Sequence, residues 1–461
     1  MKKMKKKIKK DNHQNNLENN KSQKVRRLEQ ILRFMASAVI RKYKPRIVAI
    51  TGSVGKTSAK EAISIVLAGH FRIRKSEKNY NNEIGVPLTI IGINGGGKSV
   101  LGWFLVFLKW LSIIIFPAKY PEILILEMAS DRPGDLKYLT DFVRPDISVI
   151  TEISASHLEY FKTLNGILKE KAVLVKVLDE KGLAILNIDN AYLAKLKTEL
   201  RSNVLSFGFS ESADVRALDV FLNYHNNQNS SASSLEQETN GLSFKLSYQG
   251  TTMPMRLSRA LAKQHVYAAL AGISVGIGLG MNLVEIGTGL DGFFSPTGRL
   301  NLLPGIKNSF IIDDTYNSAL NSSEAALDVM QELGVGKRKI AVLGDMLELG
   351  ENTETDHIVL ARKFLEIKGD IFIAVGRRMQ FAVSELRKRK FTGEIYNFSN
   401  PMDAGKKLQE ILSVDDMVLV KGSQAMRMEK VVEEVMLETQ KAESLLCRQD
   451  AEWKNIPWRE V

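Results

Sequence analysis

Cysteine is almost missing from this 461-residue chain. A single Cys447 cannot close an internal disulfide, which excludes a disulfide-stapled framework and fits a reducing cytoplasm. No apolar stretch directly follows the lysines of MKKMKKKIKK, so the N-terminus does not read as a secretory signal peptide. Excess charge is missing from the body of the chain. The total is +12, but residues 1–46 hold 16 Lys/Arg against 3 Asp/Glu, and the remainder is close to neutral. That location argues against nucleic acid as a partner. The basic tail suits either a solubilising role or attraction to an anionic membrane surface, where each Lys contributes about 1 kcal/mol.

An uncharged run long enough to span a bilayer is missing too. The nearest is VLGWFLVFLKWLSIIIFP (100–117), of marginal length and with Lys109 in its middle. It falls between two expected strands of one domain, which rules out a simple crossing. Three readings stay open: an interfacial helix or hairpin with Trp103 and Trp110 at headgroup level, a helix packed on the sheet, or part of an oligomer interface. In the first, residues 1–30 and 100–117 together give a peripheral membrane contact on the cytoplasmic face.

What is present is ordinary for a globular chain, with 44% hydrophobic and 25% charged residues, long enough for two or three domains. Short β-branched runs (47–50, 123–128, 147–153, 182–188) alternate with amphipathic stretches at 57–68 and 165–178. This is the pattern of a parallel sheet with helices on both faces. Residues 205–256 turn strand-rich around the polar loop 223–234, and helical periodicity returns at 258–280. After Ser295-Pro296-Thr297-Gly298 a second alternating unit runs through 310–314, 339–345, 371–376 and 417–423. The expectation is an α/β protein. Residues 1–45 form a basic tail and short helix. A P-loop doubly wound central domain spans 46–296 with an apolar insertion at 99–118. A smaller Rossmann-like C-terminal domain spans 297–440, and 441–461 are a tail.

TGSVGKT (51–57) sits where a strand passes into a helix. Glycines there let backbone N–H groups face a phosphate, and the helix N-terminus adds partial positive charge. Lys56 would reach the β- and γ-phosphates, and Thr57 would ligate Mg²⁺. Only two residues separate Gly52 from Gly55-Lys56, against four in a standard Walker A loop. Glu127 ends a strand and His157 lies just past another. Both belong on the carboxyl edge where open α/β sheets bind ligands, as metal or phosphate groups.

Those stretches, with NYNNEIGVPLT (79–89), EMASDRPGDLKYLT (127–140), ISASHLEYF (153–161), GRLNLLPG (298–305), IIDDTYNS (311–318), LGDMLELGE (343–351) and VKGSQAMRMEKVV (420–432), resemble the Mur ligases in order from about 46 to 437. The short loop is the form that family uses. The resemblance implies ATP-driven amide-bond formation through an acyl phosphate. It is nearest to the member that joins D-Ala-D-Ala to a muramoyl tripeptide, with ATP and Mg²⁺ as cofactors. It implies nucleotide contacts from Gly52, Ser53, Val54, Gly55, Lys56, Thr57 and Ser58, with Arg299 meeting phosphate and Asp314 near ribose or phosphates. It implies that Thr57 holds one Mg²⁺, that Glu127 and His157 hold a second, and that Lys171 is the lysine that is carbamylated. Asn82 and Glu83 fall on the muramoyl-peptide side. Asp345, Lys421 and Ser423 fall on the C-terminal-domain side of the substrates.

The chain departs from the family in three places. At 263–268, KQHVYA replaces the usual asparagines, and His265 is expected to take over a base contact. Lys171 is followed by Ala-Val where Gly-Glu is usual. About 45 residues precede the loop, too few for a UDP-binding domain, so UDP recognition is expected from a partner or from a membrane-presented acceptor. Two other readings stay open: a Mur-type ligase acting on another acid, as in folylpolyglutamate synthase or cyanophycin synthetase, and a non-catalytic nucleotide-binding scaffold.

Overall fold

The computed structural model describes residues 23–77, 80–97, 99–155, 158–224, 239–258 and 260–456. The MKKMKKKIKK tail, most of the polar stretch 223–234 and His157 lie outside the described residues.

The β-branched runs become strands. The first sheet holds β1 (Arg46–Thr51), β2 (Ile73–Lys75), β3 (Ile123–Glu127), β4 (Ile147–Ile150), β5 (Leu183–Asn187), β6 (Asn203–Gly208), β7 (Val215–Tyr224), β8 (Thr239–Tyr248) and β9 (Thr251–Leu257). Their order is β2-β3-β1-β4-β5-β6-β7-β8-β9. β2 to β7 run parallel, and β7, β8 and β9 form an antiparallel extension. The middle strands are apolar without alternation because both faces are covered: all five residues of β3 are buried. Register places Ile50 beside Glu127 and Thr51 beside Ile150, so three strand ends meet at one edge.

Helices cover both faces. α1 (Gln23–Tyr43) precedes β1, α2 (Lys56–Ala68) follows it, and α3 (Gly85–Ile91) and α4 (Val100–Ile115) lie between β2 and β3. α5 (Asp135–Thr140) and α6 (Leu164–Lys171) flank β4, and α7 (Lys263–Gly278) returns after β9. α7 packs closely on α2, since a Cβ on Gly272 would sit 3.1 Å from the Ala62 backbone. The apolar run 100–117 is thus a 16-residue helix between neighbouring strands of one sheet. It is about 24 Å long, short of the hydrocarbon thickness of a bilayer. No helix among the described residues is long and apolar enough to cross a membrane.

The second sheet holds β10 (Asn301–Pro304), β11 (Phe310–Asp314), β12 (Lys339–Gly344), β13 (Ile371–Val375), β14 (Glu394–Phe398) and β15 (Met417–Lys421), ordered β10-β11-β15-β12-β13-β14. All pairs are parallel except β10–β11. α8 (Leu320–Leu333) follows β11. The protein is therefore α/β in both halves.

The described part of 441–461 packs against the second domain. Ala442 and Leu446 are buried in its core. Arg448 donates to the Glu429 carboxylate at 2.7 Å and to the Thr315 and Tyr316 carbonyls at 2.5 and 2.9 Å.

Candidate active site

The loop after β1 is built around two glycines. A Cβ on Gly52 would fall 2.0 Å from the Thr151 hydroxyl, so only glycine fits. Gly55 has φ +85°, a left-handed conformation that glycine adopts without strain. The loop is pinned to the end of β4. Ser53 N–H donates to the Glu152 carbonyl at 2.8 Å, and its hydroxyl donates to the Ser154 carbonyl at 2.9 Å. The Thr151 hydroxyl donates to the Val54 carbonyl at 2.5 Å. The first turn of α2 carries no acidic residue, so its N–H groups face the site without a competing anion.

Lys56 folds back over the loop, donating to the Gly52 carbonyl at 2.7 Å. Burial lowers its pKa; the Glu127 carboxylate opposes this, and the Arg299 guanidinium reinforces it. A cation so crowded is stabilised by an anion arriving between Lys56 and Arg299.

Glu127 is 3% exposed. Its Oε1 accepts from the Thr57 hydroxyl at 3.4 Å and from Asn81 Nδ2 at 3.2 Å. Lys60 Nζ lies 3.4 Å from Oε2, yet that oxygen has no hydrogen-bond partner. Burial pushes the Glu127 pKa up, but Lys60, Lys56 and the Asn81 bond outweigh it, and the carboxyl is held below its usual range. An ionised carboxylate with an orphaned oxygen beside the Thr57 hydroxyl fits a hard divalent cation. Mg²⁺ bound with phosphates needs only one or two protein oxygens. Among the described residues no group of three or more His, Cys, Asp or Glu forms a self-sufficient metal cage.

Lys171 ends α6 with Nζ 3.1 Å from the Ser130 hydroxyl. Burial, then the Lys56 charge, brings its pKa down to about 7 against the pull of Asp131, Glu170 and Asp135. The neighbouring Glu170 turns away, accepting from the Gly134 and Leu136 N–H groups at 2.8 and 2.9 Å.

The second domain faces this edge across a cavity of about 760 Å³. The Arg299 guanidinium lies 4.2 Å from the Tyr316 ring centroid, and its buried Nε lacks a partner. Lys421 and Asp314 are register partners on β15 and β11, with Nζ 2.5 Å from Oδ2. Lys421 also donates to the Asn317 carbonyl at 2.8 Å. Lys56, Thr57, Glu127, Arg299, Asp314 and Lys421 all line the one cavity.

Other expected residues take different places. Asn82 Oδ1 accepts from the Ile84 and Gly85 N–H groups at 3.2 and 2.9 Å, at the start of α3, and neither it nor Glu83 lines the cavity. Asn81 does. The Asp345 carboxylate is closed to solvent and accepts from the Arg378 and Met379 N–H groups at 3.1 and 2.9 Å. Ser423 borders the cavity while its Oγ accepts from Leu347 N–H at 2.9 Å. His265, expected at a nucleotide base, lines the cavity wall although it is only 2% exposed. Its Nδ1 accepts from Leu261 N–H at 3.1 Å, and the ring also bonds the Arg299 backbone. Burial takes its pKa down to about 4, so the neutral ring joins the start of α7 to the Arg299 segment.

Asn81, Lys60, Asp131 and Trp453 join the site without being expected from the motifs. Lys60 had a signal, since it lies one turn after Lys56 on α2. Trp453 and Ile456 reach the cavity from the C-terminal segment, and no spacing announces them.

A phosphate loop and an acidic strand end on one mostly parallel sheet, facing basic groups of a second α/β domain, define a two-domain nucleotide-dependent enzyme. Residues 111–276 match the Mur ligase middle domain, and residues 298–424 match the Mur ligase, glutamate ligase domain. The chain belongs to the Mur ligase family. It is 28% identical over 411 residues to the UDP-N-acetylmuramoyl-tripeptide–D-alanyl-D-alanine ligase of Bacillus subtilis, covering 88% of this chain and 79% of that one. The Escherichia coli enzyme of the same name is 27% identical over 86% of this chain and 78% of its own. The fold matches MurF of Thermotoga maritima in complex with ADP, with a TM-score of 0.71 and 24% identity over 88% of this chain and 83% of that chain. MurF of Acinetobacter baumannii also gives 0.71, at 23% identity over 88% and 80%.

Proposed function

We propose that the protein is an ATP-dependent amide ligase that joins D-Ala-D-Ala to the terminal carboxylate of a muramoyl tripeptide in cell-wall precursor synthesis. The observation that carries this reading is the placing of Lys56 on one side of a single cavity and of Arg299 and Lys421, from the second domain, on the other. Phosphoryl transfer and amine attack then share one space.

The reaction has two steps. The bond from the γ-phosphorus to the bridging oxygen of ATP breaks, and a carboxylate oxygen takes the phosphoryl group, leaving ADP and an acyl phosphate. The dipeptide amine then attacks the acyl carbon, the C–O bond to phosphate breaks, and the amine proton leaves. Little of this needs covalent help from the protein; positioning and charge neutralisation carry it. Lys56 and the N–H groups of loop 52–55 hold the phosphates. Arg299, held against the Tyr316 ring, meets the charge that spreads over the transferring group. Thr57 and Glu127 are the residues that would hold Mg²⁺, which neutralises phosphate charge when bound. Lys421, tethered by Asp314, sits where the departing phosphate or acyl oxygen needs a cation.

Lys171 is the carbamylation site in this reading. With a pKa near 7, much of its amine is neutral at physiological pH. A neutral amine adds CO₂ and releases a proton, which would replace a buried cation by an anion beside Lys56.

The test is phosphate release from ATP by the full chain. Release that requires both UDP-muramoyl tripeptide and D-Ala-D-Ala supports the proposal. Release with another acid in place of the muramoyl peptide assigns a different acceptor. ATP binding without release for any acid overturns catalysis.

A further inference from the structure

α1 and α4 pack side by side and leave an apolar face open. Leu101, Phe104, Leu105, Leu108 and Ile115 recur at helical spacing on α4 with 67, 53, 52, 41 and 59% exposure. Ile31 and Phe34 of α1 extend the face with 55 and 60% exposure. Phe34 and Phe107 both contact Trp110, with ring centroids 6.2 and 5.6 Å away, so the face is continuous across the two helices. It is also braced from below. Trp110 Nε1 donates to the Met35 carbonyl at 3.0 Å. Lys42 Nζ closes the end of α4 by donating to the Ile113, Ile114 and Phe116 carbonyls at 2.9, 2.9 and 3.0 Å. Trp110 is thus tied inward, while Leu101, Phe104, Leu105 and Leu108 face out.

Charge decides what this face fits. α4 contains no acidic residue, and the one acid of α1, Glu29, is buried. The exposed charges on the pair are all cationic: Lys24, Arg26, Arg27, Arg41, Lys42 and Lys109. The sequence ahead of α1, residues 1–22, adds eight lysines against Asp11 and Glu18. A protein interface core is depleted of lysine. An apolar stripe rimmed by cations alone matches the headgroup and acyl boundary of an anionic bilayer, where burial and electrostatic attraction add.

We propose that the α1–α4 face docks the protein in plane on an anionic lipid surface. α4 lies in the interface with its Phe104 stripe among the acyl chains, and the cations of α1 lie among the headgroups.

The experiment is flotation of the full chain with phosphatidylglycerol-containing vesicles and with pure phosphatidylcholine vesicles. The expected result is co-flotation with the anionic vesicles, weakened by salt. Triple Phe104→Ser, Leu105→Ser, Leu108→Ser should lower vesicle partitioning by about tenfold or more. Its circular dichroism and its ATP binding should match those of the parent, because none of the three residues touches the nucleotide cavity. Double Ile31→Ser, Phe34→Ser is an independent second arm with the same expected loss. A parent chain that stays with the soluble fraction overturns the proposal, as does a folded triple variant that floats equally well. A parent that dimerises without floating, and becomes monomeric in the triple variant, overturns it in favour of a second copy as occupant.

Discussion

Lys60 and Glu127 meet inside the site at 3.4 Å, with side chains only 2 and 4% exposed. The Glu127 end of this pair is not closed by full hydrogen bonding, because its Oε2 has no donor. Removing one partner from a buried pair exposes the other to an uncompensated desolvation cost of about 3–5 kcal/mol. Lys60→Met should therefore lower stability by about that much in urea unfolding. Glu127→Gln, Lys60→Met together should lose less than the sum of the single changes. Additivity within about 0.5 kcal/mol would show that the two do not interact.

Lys56 is a cation held in place by loop carbonyls and strained by burial. Lys56→Ala should leave the thermal midpoint unchanged or raised, since a buried charge is removed. Phosphate release should fall by about 10²–10³-fold if the ammonium stabilises the transferring phosphoryl group. Turnover within threefold of the parent would remove Lys56 from that role.

Much of this site was legible because strand ends and helix starts are tied to spacing. TGSVGKT fixes its own neighbourhood, and Glu127 follows from ILILE once the sheet is parallel. Position along a loop was not legible. NYNNEIG offers two adjacent asparagines, and a turn of backbone sends Asn81 to Glu127 and Asn82 to the start of α3. Asp345 shows the same limit, since a strand-end carboxylate can face a ligand or the next backbone N–H groups, and here it faces the latter. His265 stands in the first turn of a helix, where its ring is taken up by nearby backbone. The C-terminal segment has no periodicity to announce it, because its hold is the buried Arg448–Glu429 pair and a few scattered apolar side chains such as Ala442 and Leu446 rather than a helical stripe.

Lys171 gives a pH signature. Its pKa falls from 10.5 to about 7 on folding. Between those values the unfolded chain holds a proton that the folded chain does not, so stability from this group rises with pH across the window. Below about 7 both states are protonated and the burial penalty is complete. Relative to Lys171→Met, the parent should gain unfolding free energy from about pH 7 towards pH 10 in CO₂-free buffer. A constant difference across that range would mean that the amine keeps its proton. In the ligase assay, dissolved CO₂ should raise parent turnover above pH 7 and leave Lys171→Met unaffected.

Arg448 and Trp453 separate anchoring from substrate contact in the C-terminal segment. Arg448 holds the segment through Glu429, which is closed to solvent, and through two carbonyls of the loop after β11. Arg448→Ala strands Glu429 with Arg427 as its remaining cation, whose Nε lies 2.6 Å from Oε1. It should lower stability by about 3 kcal/mol or more. Trp453 is half-buried at the cavity wall, with the Arg427 guanidinium 5.3 Å from its ring centroid. Trp453→Ala should leave the urea midpoint nearly unchanged and raise the KM of one substrate by about tenfold, because a wall that packs equally on ground and transition states affects binding alone. A lower kcat with KM unchanged would place Trp453 against the reacting atoms instead. No kinetic change in either constant would mean that the segment closes the cavity without touching what enters it.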